Sequence, residues 1–307
     1  KNLFKKMILV CGDIILDEVK EFYSNKISPE APLPILILKK NKFFLGGAGN
    51  VANNIKKLSS QIFLISSIGK DSQGEIIKKL LNKNKIKNKL IEDSYYKTTH
   101  KDRGHLENKL IFRIDNENPK NLKFLHKQLV LKFIKKNISK FNLIVISDYN
   151  KGFFDKYFIK QVSLIFKKEN KLIITNPKRK NVSFYNYSNI LVPNEKEFKN
   201  FFTKKNTLIK MIDLVFDKVK SLKYLIITRG HKNIILGSRD NKIKYLKVNK
   251  VNSTDVTGAS DTFLATLSVY LDKNLDILRA IKKAIIASKK VVTKRYTSVI
   301  KLKEIER

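Results

Sequence analysis

Residues 251–271 join a predicted strand to a predicted helix through a short polar turn that ends at a carboxylate, Asp261. Gly258, Ala259 and Ser260 place little side-chain bulk over the first amides of that helix, where unpaired N–H groups and the helix dipole favour an anion. A carboxylate beside a bound phosphoryl group is able to accept the proton of an attacking hydroxyl. The turn therefore suggests phosphoryl transfer with Asp261 as the base. The alternative is a helix cap at Asp261 and an ordinary turn glycine at Gly258.

Strand-like apolar runs alternate with helical patterns along most of the chain, which is typical of an α/β fold with a mainly parallel sheet. Ligands collect at the carboxyl ends of such strands, so the turns that follow them are candidate site positions. The segments that contain a strand and its turn are residues 7–13, 62–81, 141–154, 171–180, 190–198 and 224–230. An edge strand within residues 27–38 and two strands within residues 95–115 predict a small sheet outside the main core. The length of 307 residues fits one α/β domain with such an elaboration, or two modest domains.

Asp13 follows the first predicted strand, where a carboxylate is placed to accept hydrogen bonds from sugar hydroxyls or to cap a turn. A second glycine turn, at residues 43–60, leads into a helix. Gly47, Gly49 and Ala52 match the dinucleotide pattern G-x-G-x-x-A, but that fingerprint should follow the first core strand, and here Asp13 follows it instead.

Composition limits the other functional classes to which the chain could belong. The 64 Lys and Arg residues outnumber the 27 Asp and Glu residues and give a net charge of +37, but they are spread along the whole chain without a nucleic-acid recognition motif, so no specific nucleic-acid role is expected. Cys11 is the only cysteine and is expected to be a small buried thiol in a reducing compartment. Neither a signal peptide nor a membrane span is recognisable, so we expect a cytoplasmic protein without a membrane partner.

The run DVTGASD, residues 255–261, resembles the second signature of the ribokinase-like (PfkB) carbohydrate kinases, D-x-T-G-A-G-D. The resemblance implies a ribokinase-like α/β fold over residues 1–307, with a central mainly parallel sheet flanked by helices. It also implies ATP and Mg²⁺ as cofactors, Asp261 as the catalytic base, and the amides of Gly258, Ala259, Ser260 and Asp261 as the anion hole. Segments of about 18–45 and 95–115 would form a β-sheet lid over the sugar and a homodimer contact.

The same resemblance assigns the remaining site residues. Those expected to hold the sugar are Asp13, Gly46, Gly47 and Asn50. Those expected to hold the nucleotide are Asn194, Glu195, Lys196, Glu197, Thr228, Arg229, Gly230 and Asp255, with Glu197 also placing the metal. Asn194 and Glu197 also fit an N-terminal capping pattern, and both roles are compatible.

Five positions depart from the patterns of the family. Ser260 replaces a glycine, which would cost about 1–2 kcal/mol if the backbone there is left-handed. Asn233 replaces the glycine that closes the nucleotide turn, and Asn176 replaces the aspartate of a D-P-K turn. Lys289 and Tyr296 stand where small residues near adenine are usual.

Further runs, among them GGAGNVANNI and SDYNKG, resemble one branch of the family, bacterial kinases of heptose phosphates in lipopolysaccharide-core synthesis. That resemblance implies ATP-dependent phosphorylation of D-glycero-β-D-manno-heptose 7-phosphate at O1, with Lys101, Arg103 and Lys178 as candidates for the 7-phosphate. The nucleotidyltransferase fused to the kinase in many bacteria would exceed this length, so a stand-alone kinase is expected. The alternatives are a kinase for another sugar or sugar phosphate, an inactive family member that binds ligands, and a polyanion-binding protein.

Overall fold

The computed structural model describes residues 6–58, 60–203, 206–240, 242–252 and 254–306. The strands are β1 (Met7–Gly12), β2 (Ile14–Tyr23), β3 (Ile37–Gly47), β4 (Ile62–Gly69), β5 (Lys87–Asp93), β6 (His100–Leu106), β7 (Lys109–Asn116), β8 (Phe141–Ser147), β9 (Leu172–Asn176), β10 (Ile190–Leu191), β11 (Tyr224–Ile227), β12 (Ile234–Ser238) and β13 (Ile243–Leu246). The helices are α1 (Ala48–Lys57), α2 (Ser72–Lys83), α3 (Phe124–Asn137), α4 (Lys156–Lys168), α5 (Glu195–Lys199), α6 (Leu208–Lys218), α7 (Ala259–Asp272), α8 (Ile277–Val292) and α9 (Lys303–Glu306). Two short 3₁₀ helices lie at Ile138–Lys140 and Val182–Tyr185.

The main sheet has nine strands in the order β13-β12-β11-β10-β9-β8-β1-β4-β5. All pairs from β11 to β5 are parallel, and β12 and β13 are antiparallel to their neighbours. The predicted α/β class with a mainly parallel sheet is confirmed. The chain adds β4 and β5 on one side of β1 and β8 to β13 on the other, so the strand order reverses at β1. The carboxyl end of β1 is therefore the switch point at which α/β proteins bind ligands.

Helices cover both faces of this sheet because its central strands are apolar on both sides. Ile8 and Val10 of β1 pack with α1, α2, α7 and α8, whereas Leu9 and Cys11 pack on the opposite face with α3, α4 and α6. Cys11 is fully buried, as predicted, and burial raises the pKa of its thiol far above the usual range. No helix in the described ranges is both long enough and apolar enough to cross a bilayer.

A second sheet of four strands, in the order β3-β2-β6-β7, follows β1 and stands apart from the main sheet. The two strands predicted within residues 95–115 are β6 and β7. The edge strand predicted within residues 27–38 lies mostly beyond that range, because β3 begins at Ile37 and continues to Gly47. Strand β2 was not expected from the sequence, because its middle carries Asp17 and Glu18. Both carboxylates are nevertheless buried: Asp17 pairs with Arg103 at 2.8 Å and Glu18 with His100 at 2.7 Å.

Candidate active site

The turn before α7 has the geometry that an anion site requires. Gly258 caps the helix with φ of 80°, a left-handed conformation that side chains rarely adopt, and a Cβ there would approach Asn50 Nδ2 to 2.8 Å. Ser260 lies inside the helix and not in the left-handed region. The strain considered for a serine at this position therefore does not arise, because Gly258 takes the left-handed conformation.

Most amides of this turn remain available to a ligand. The amide of Ala259 donates to Val256 O at 3.3 Å, and the first regular helical bond runs from Thr262 N to Gly258 O at 2.9 Å. Within the described part of the chain, the amides of Gly258, Ser260 and Asp261 have no protein acceptor. A cluster of uncommitted N–H groups at a helix N-terminus is suited to an anion.

The Asp261 carboxylate is 8% exposed and has a hydrogen-bond donor on each oxygen. Asn50 Nδ2, at the start of α1, donates to Oδ2 at 2.9 Å, and the Tyr149 hydroxyl donates to Oδ1 at 2.5 Å. Asn54 Nδ2 donates to Asn50 Oδ1 at 3.0 Å, which turns the amide nitrogen of Asn50 towards Asp261. The fold therefore fixes the orientation of this carboxylate from two sides.

Burial raises the pKa of Asp261 from 3.8 to about 6. The hydrogen bonds from Tyr149 and Asn50 act in the opposite direction, the charge of Asp17 raises the pKa and that of Lys178 lowers it. The group is therefore ionised at neutral pH, and its pKa is close enough to 7 for it to accept and return a proton, as a general base must.

Asp13 lies at the carboxyl end of β1 and is fully buried. Its Oδ2 accepts the amides of Tyr149 at 2.8 Å and Lys151 at 3.2 Å, and its Oδ1 accepts the amide of Phe153 at 3.0 Å. Burial, followed by the charge of Asp148, raises the pKa of Asp13 to about 6. The structure thus gives the predicted sugar ligand a further task, which is to hold the loop that carries Tyr149.

Gly46 and Gly47 end β3 next to the carboxyl end of β1. Gly47 has φ of 55°, and a Cβ there would lie 2.4 Å from Asp13 O. A Cβ on Gly46 would lie 2.5 Å from Asp17 Oδ2. The two glycines let β3 approach Asp13 and the side chains of β2 closely, and α1, which carries Asn50, begins directly after Gly47.

The three cations predicted for a phosphate group are all engaged by carboxylates. Arg103 Nη1 bonds Asp17 Oδ1 at 2.8 Å, and Lys101 Nζ lies 4.0 Å from Glu117 Oε1. Burial lowers the pKa of Lys101. Lys178 Nζ contacts a carboxylate oxygen of Glu197 at 2.5 Å and stands 5.5 Å from the centre of the Tyr149 ring. Lys101 and Arg103 approach the site from the small sheet, whereas Lys178 approaches it from the turn after β9.

Two motifs predicted for the nucleotide, about thirty residues apart in the sequence, meet in the structure. The amide of Glu195 donates to Thr228 O at 2.9 Å, and Arg229 Nε lies 3.8 Å from Glu195 Oε1. Asn194 and Glu197 form a complete capping box at the start of α5. The predicted N-terminal cap is therefore confirmed. In it, the amide of Asn194 donates to Glu197 Oε2 at 2.8 Å.

A cavity of about 370 Å³ adjoins the anion turn. It is lined on one side by Ala259 and Ser260, and elsewhere by Asn194, Thr228, Arg229, Gly230, His231, Ile234, Val248, Asn249, Lys250, Val251, Val256, Phe263, Ile285, Ser288, Lys289 and Val292. A second, more open cavity of about 530 Å³ continues past Glu195 and Lys196. The turn at Gly258–Ser260 therefore lies between the first cavity and the Asp261 carboxylate, which faces Asn50 and Tyr149.

Tyr296 does not line the described cavity, although its position suggested a place near adenine. Its φ is 62°, its amide donates to Asp255 Oδ2 at 3.0 Å, and its hydroxyl donates to Glu21 of the small sheet at 2.8 Å. Asp255 also accepts the amide of Thr257 at 2.8 Å. Asp255 thus braces the anion turn against the loop of Tyr296, and Tyr296 connects that loop to the small sheet.

Sequence reasoning missed three residues of this site. Asp17 lies on the unpredicted strand β2, and Asn54 is one helical turn after Asn50, which was its only sequence signal. Tyr149 stands in the SDYNKG run that was noted for its resemblance, but nothing in the sequence connected it to Asp261, 112 residues away. Asn233 is also outside the left-handed region, so no left-handed strain arises at that replaced glycine.

Comparison with known proteins places these observations in a family. The pattern of the pfkB family of carbohydrate kinases matches residues 5–304. Bifunctional protein HldE of Aliarcobacter butzleri is 33% identical over 306 residues, which cover 98% of this chain and 64% of the relative. The HldE protein of Helicobacter pylori strain G27 is 31% identical over 98% of this chain and 65% of its own length. The chain therefore spans just under two thirds of the length of these relatives.

Solved structures agree with the fold. A ribokinase from Thermotoga maritima superposes with a TM-score of 0.76 at 22% identity, with 98% of each chain covered. Phosphofructokinase-2 from Escherichia coli in complex with potassium gives a TM-score of 0.78 at 16% identity, covering 98% of this chain and 97% of the other. The predicted ribokinase-like architecture is confirmed.

Proposed function

Because the chain belongs to the pfkB family of carbohydrate kinases, we propose that it transfers the terminal phosphoryl group of ATP to O1 of D-glycero-β-D-manno-heptose 7-phosphate. The product would be the heptose 1,7-bisphosphate, a precursor of ADP-heptose for the lipopolysaccharide core. The observation that carries the proposed chemistry is the Asp261 carboxylate, which is held from two sides. It lies next to the amides of Gly258, Ser260 and Asp261, for which the described residues provide no acceptor. The heptose itself is supported by the similarity to proteins named HldE.

In this proposal Asp261 accepts the proton of the anomeric hydroxyl as that oxygen attacks the phosphorus atom. A positioned general base of this kind contributes about 10² to 10⁴ in rate. The amides of Gly258, Ser260 and Asp261 stabilise the charge on the transferring phosphoryl group, because they are fixed by the helix before the reaction begins. The nucleotide would occupy the cavity on the far side of the turn, between Thr228–Gly230 and α8.

Mg²⁺ in such kinases draws most of its ligands from nucleotide phosphates and water, so it needs few protein groups. When bound, the ion offsets the charge of the phosphates. Glu197 is the candidate protein residue, but its two oxygens already accept bonds from Lys178 and the Asn194 amide. It therefore fits as an acceptor for a metal-bound water. Within the described ranges, no three His, Cys, Asp or Glu side chains are grouped to hold an ion by themselves.

The sugar would lie between the small sheet and the main sheet, against Gly46, Gly47 and Asn50. Its 7-phosphate would compete for cations that carboxylates now hold, with Lys101 and Arg103 on the side of the small sheet and Lys178 on the other. Charge-assisted bonds of this type are stronger than neutral ones, and a phosphate dianion is a better partner than a single carboxylate. In this way the small sheet would act as a lid.

The small sheet also supports a homodimer in this proposal. Large apolar side chains with more than a third of their surface exposed are concentrated on it and on the connection before β3: Tyr23, Ile27, Leu33, Ile35, Leu36, Leu38, Leu110, Ile111 and Ile114. Exposed apolar side chains in this number on one small sheet are typical of an interaction surface. A second copy of the same sheet would cover it.

The test is ADP release with a panel of acceptors in the presence of Mg²⁺. Heptose 7-phosphate should give the highest kcat/KM, and Asp261→Asn should abolish most of that turnover and so exclude a contaminating kinase. Equal or faster turnover of ribose or fructose 1-phosphate would reject the heptose assignment and leave another sugar kinase of the family. ATP binding without turnover of any acceptor would favour the inactive family member.

A further inference from the structure

We propose that Tyr149 is a positioning residue of the reaction, whose hydroxyl fixes the Asp261 carboxylate in the orientation that receives the proton of the sugar hydroxyl. Tyr149 does not touch the reacting atoms in this view, because it acts through Asp261. The inference rests on the proposed role of Asp261 as the base.

The geometry leaves Asp261 little rotational freedom. A carboxylate offers about four lone-pair sites on its two oxygens. One on Oδ1 is taken by the Tyr149 hydroxyl at 2.5 Å and one on Oδ2 by Asn50 Nδ2 at 2.9 Å. Because the two donors come from different elements, the β8 loop and α1, the carboxylate is held at both ends. One lone-pair site on each oxygen then remains for the sugar hydroxyl, and the carboxylate cannot rotate without breaking one of the two bonds.

The position of Tyr149 is itself fixed through its main chain. Its amide donates to Asp13 Oδ2 at 2.8 Å, and the same carboxylate also binds the amides of Lys151 and Phe153. Lys178 Nζ lies 5.5 Å from the centre of the ring. Asp13, directly after β1, thus holds the loop in place. The loop positions the Tyr149 ring, and the Tyr149 hydroxyl orients the Asp261 carboxylate.

Tyr149 remains a donor over the whole working range of pH. Burial, followed by the charge of Asp261, raises the pKa of its phenol well above the usual value. The charged groups that face the pair are Asp17 and Glu197, which disfavour further negative charge, and Lys178, which favours it. Without the hydroxyl, Asp261 would keep a single donor from Asn50, bind its proton more tightly and rotate more freely.

The experiment compares the wild type with Tyr149→Phe in heptose 7-phosphate phosphorylation, with kcat and kcat/KM measured from about pH 5 to 9. The change removes one oxygen and keeps the ring. It also keeps the hydrogen bond from the main-chain amide to Asp13, so the Asp13 carboxylate is not disturbed. Tyr96→Phe is the matched control, because the Tyr96 hydroxyl donates to the same loop, at Lys151 O and 3.0 Å, without contacting Asp261.

The acid limb of the wild-type profile should lie near the pKa of Asp261, about 6. In Tyr149→Phe it should move up by about one pH unit, since a hydrogen bond to a charged group is worth about that much. At the optimum, kcat should fall about tenfold because the base is no longer held in one orientation, with little change in the KM of the sugar. Tyr96→Phe should leave the limb in place.

An unshifted limb and a kcat within twofold of wild type in folded Tyr149→Phe would overturn the inference, as would an equal shift in Tyr96→Phe. If Asp261→Asn stays active in the same assay, the proposed mechanism fails first. If only Tyr149→Phe behaves as wild type, the mechanism stands and the role of Tyr149 falls. Should Tyr149→Phe not fold, wild-type protein grown with meta-fluorotyrosine answers the question. Its more acidic phenol is a stronger donor, so the limb should move to lower pH, and an unmoved limb would overturn the inference.

Discussion

Replacement of Asp261 by Asn should make the protein more stable and nearly inactive at the same time. The carboxylate is buried, and burial raises its pKa from 3.8 to about 6. In the unfolded chain the group loses its proton near pH 3.8, so between that value and about 6 the folded state binds more protons than the unfolded state. Stability therefore falls as the pH rises through this window, and the full cost is present above pH 6.

The size of the cost follows from the shift. A difference of about two pKa units corresponds to about 3 kcal/mol, since one unit is about 1.4 kcal/mol. An amide in place of the carboxylate carries no charge at any of these pH values. It also satisfies both neighbours, because its oxygen accepts from Asn50 and its nitrogen donates to the Tyr149 hydroxyl, which is able to accept. Asp261→Asn should therefore gain about 3 kcal/mol near pH 8 and about half of that near pH 5.

Urea unfolding of both proteins at these two pH values measures the gain, and ADP release measures the loss of turnover, expected to be at least about 10²-fold. Asp13, whose pKa is also raised to about 6, contributes equally to both proteins and cancels from the difference. An Asn variant that is less stable than wild type near pH 8, or a stability difference that does not change with pH, would refute the reasoning. Retained turnover would refute the role of the base.

Three other substitutions test separate parts of the site. Gly258→Ala combines a φ of 80° with a Cβ 2.8 Å from Asn50 Nδ2, so stability should fall by about 1–2 kcal/mol in urea unfolding and kcat at least about tenfold in ADP release. Lys178→Met leaves the buried carboxylate of Glu197 without its 2.5 Å partner, and thermal unfolding should show a loss of about 1 kcal/mol, since Lys178 is partly exposed, together with a higher KM for the sugar phosphate. Ile114→Lys places a charge on the exposed apolar face of the small sheet, and size-exclusion chromatography should then show a monomer in place of a dimer.

Each of these changes has a matched control in the chain. Asn274→Ala carries left-handed strain, at φ of 61°, at the other end of α7 without a collision at the site, so it should lose stability but little activity. Lys242→Met removes a lysine from an exposed 3.0 Å pair with Asp240 and should change neither measurement. Ile209→Lys adds the same charge to an exposed apolar position of α6 and should leave the oligomeric state unchanged. Equal effects in a variant and its control would contradict the corresponding prediction.

The sequence was sufficient for β1, β4 and β8 to β11 of the main sheet, because these strands are short, continuous apolar runs that remain recognisable in isolation. It did not predict β12, or β5, whose apolar residues are flanked by charged and amide side chains. It was not sufficient for β2, where Asp17 and Glu18 interrupt the apolar pattern. Asp17 is paired with Arg103 on β6, 86 residues away, and a local pattern carries no information about a partner at that distance. A strand whose charged side chains are paired with those of a neighbouring strand cannot be recognised from hydrophobic periodicity alone.

The same limit applied to the site. The turn at Gly258 was identified because its chemistry is contained in a few consecutive residues, and the structure keeps it as a helix N-terminus with uncommitted amides. The strain expected at Ser260 depended on which position of the turn is left-handed, and only the backbone decides that: Gly258 is left-handed, and Ser260, two residues later, is not. Tyr149 lies in a recognisable sequence motif, SDYNKG, but the sequence could not assign it a partner, because only the folded chain brings it to Asp261.

The chain is strongly basic, yet buried carboxylates lie in its candidate site, and this combination is expected of a carbohydrate kinase and not of a polyanion-binding protein. The net charge is +37, yet buried carboxylates surround the site: Asp13, Asp17, Asp148, Glu197 and Asp261. A nucleic-acid surface presents a stripe of cations that are free to meet phosphates. Here Lys101, Arg103 and Lys178 each face a carboxylate, so an extended polyanion would meet acidic groups wherever it displaced one of them. A small ligand that offers a phosphate to one of these cations and a hydroxyl proton to Asp261 satisfies both signs at once, and a sugar phosphate has this combination of groups.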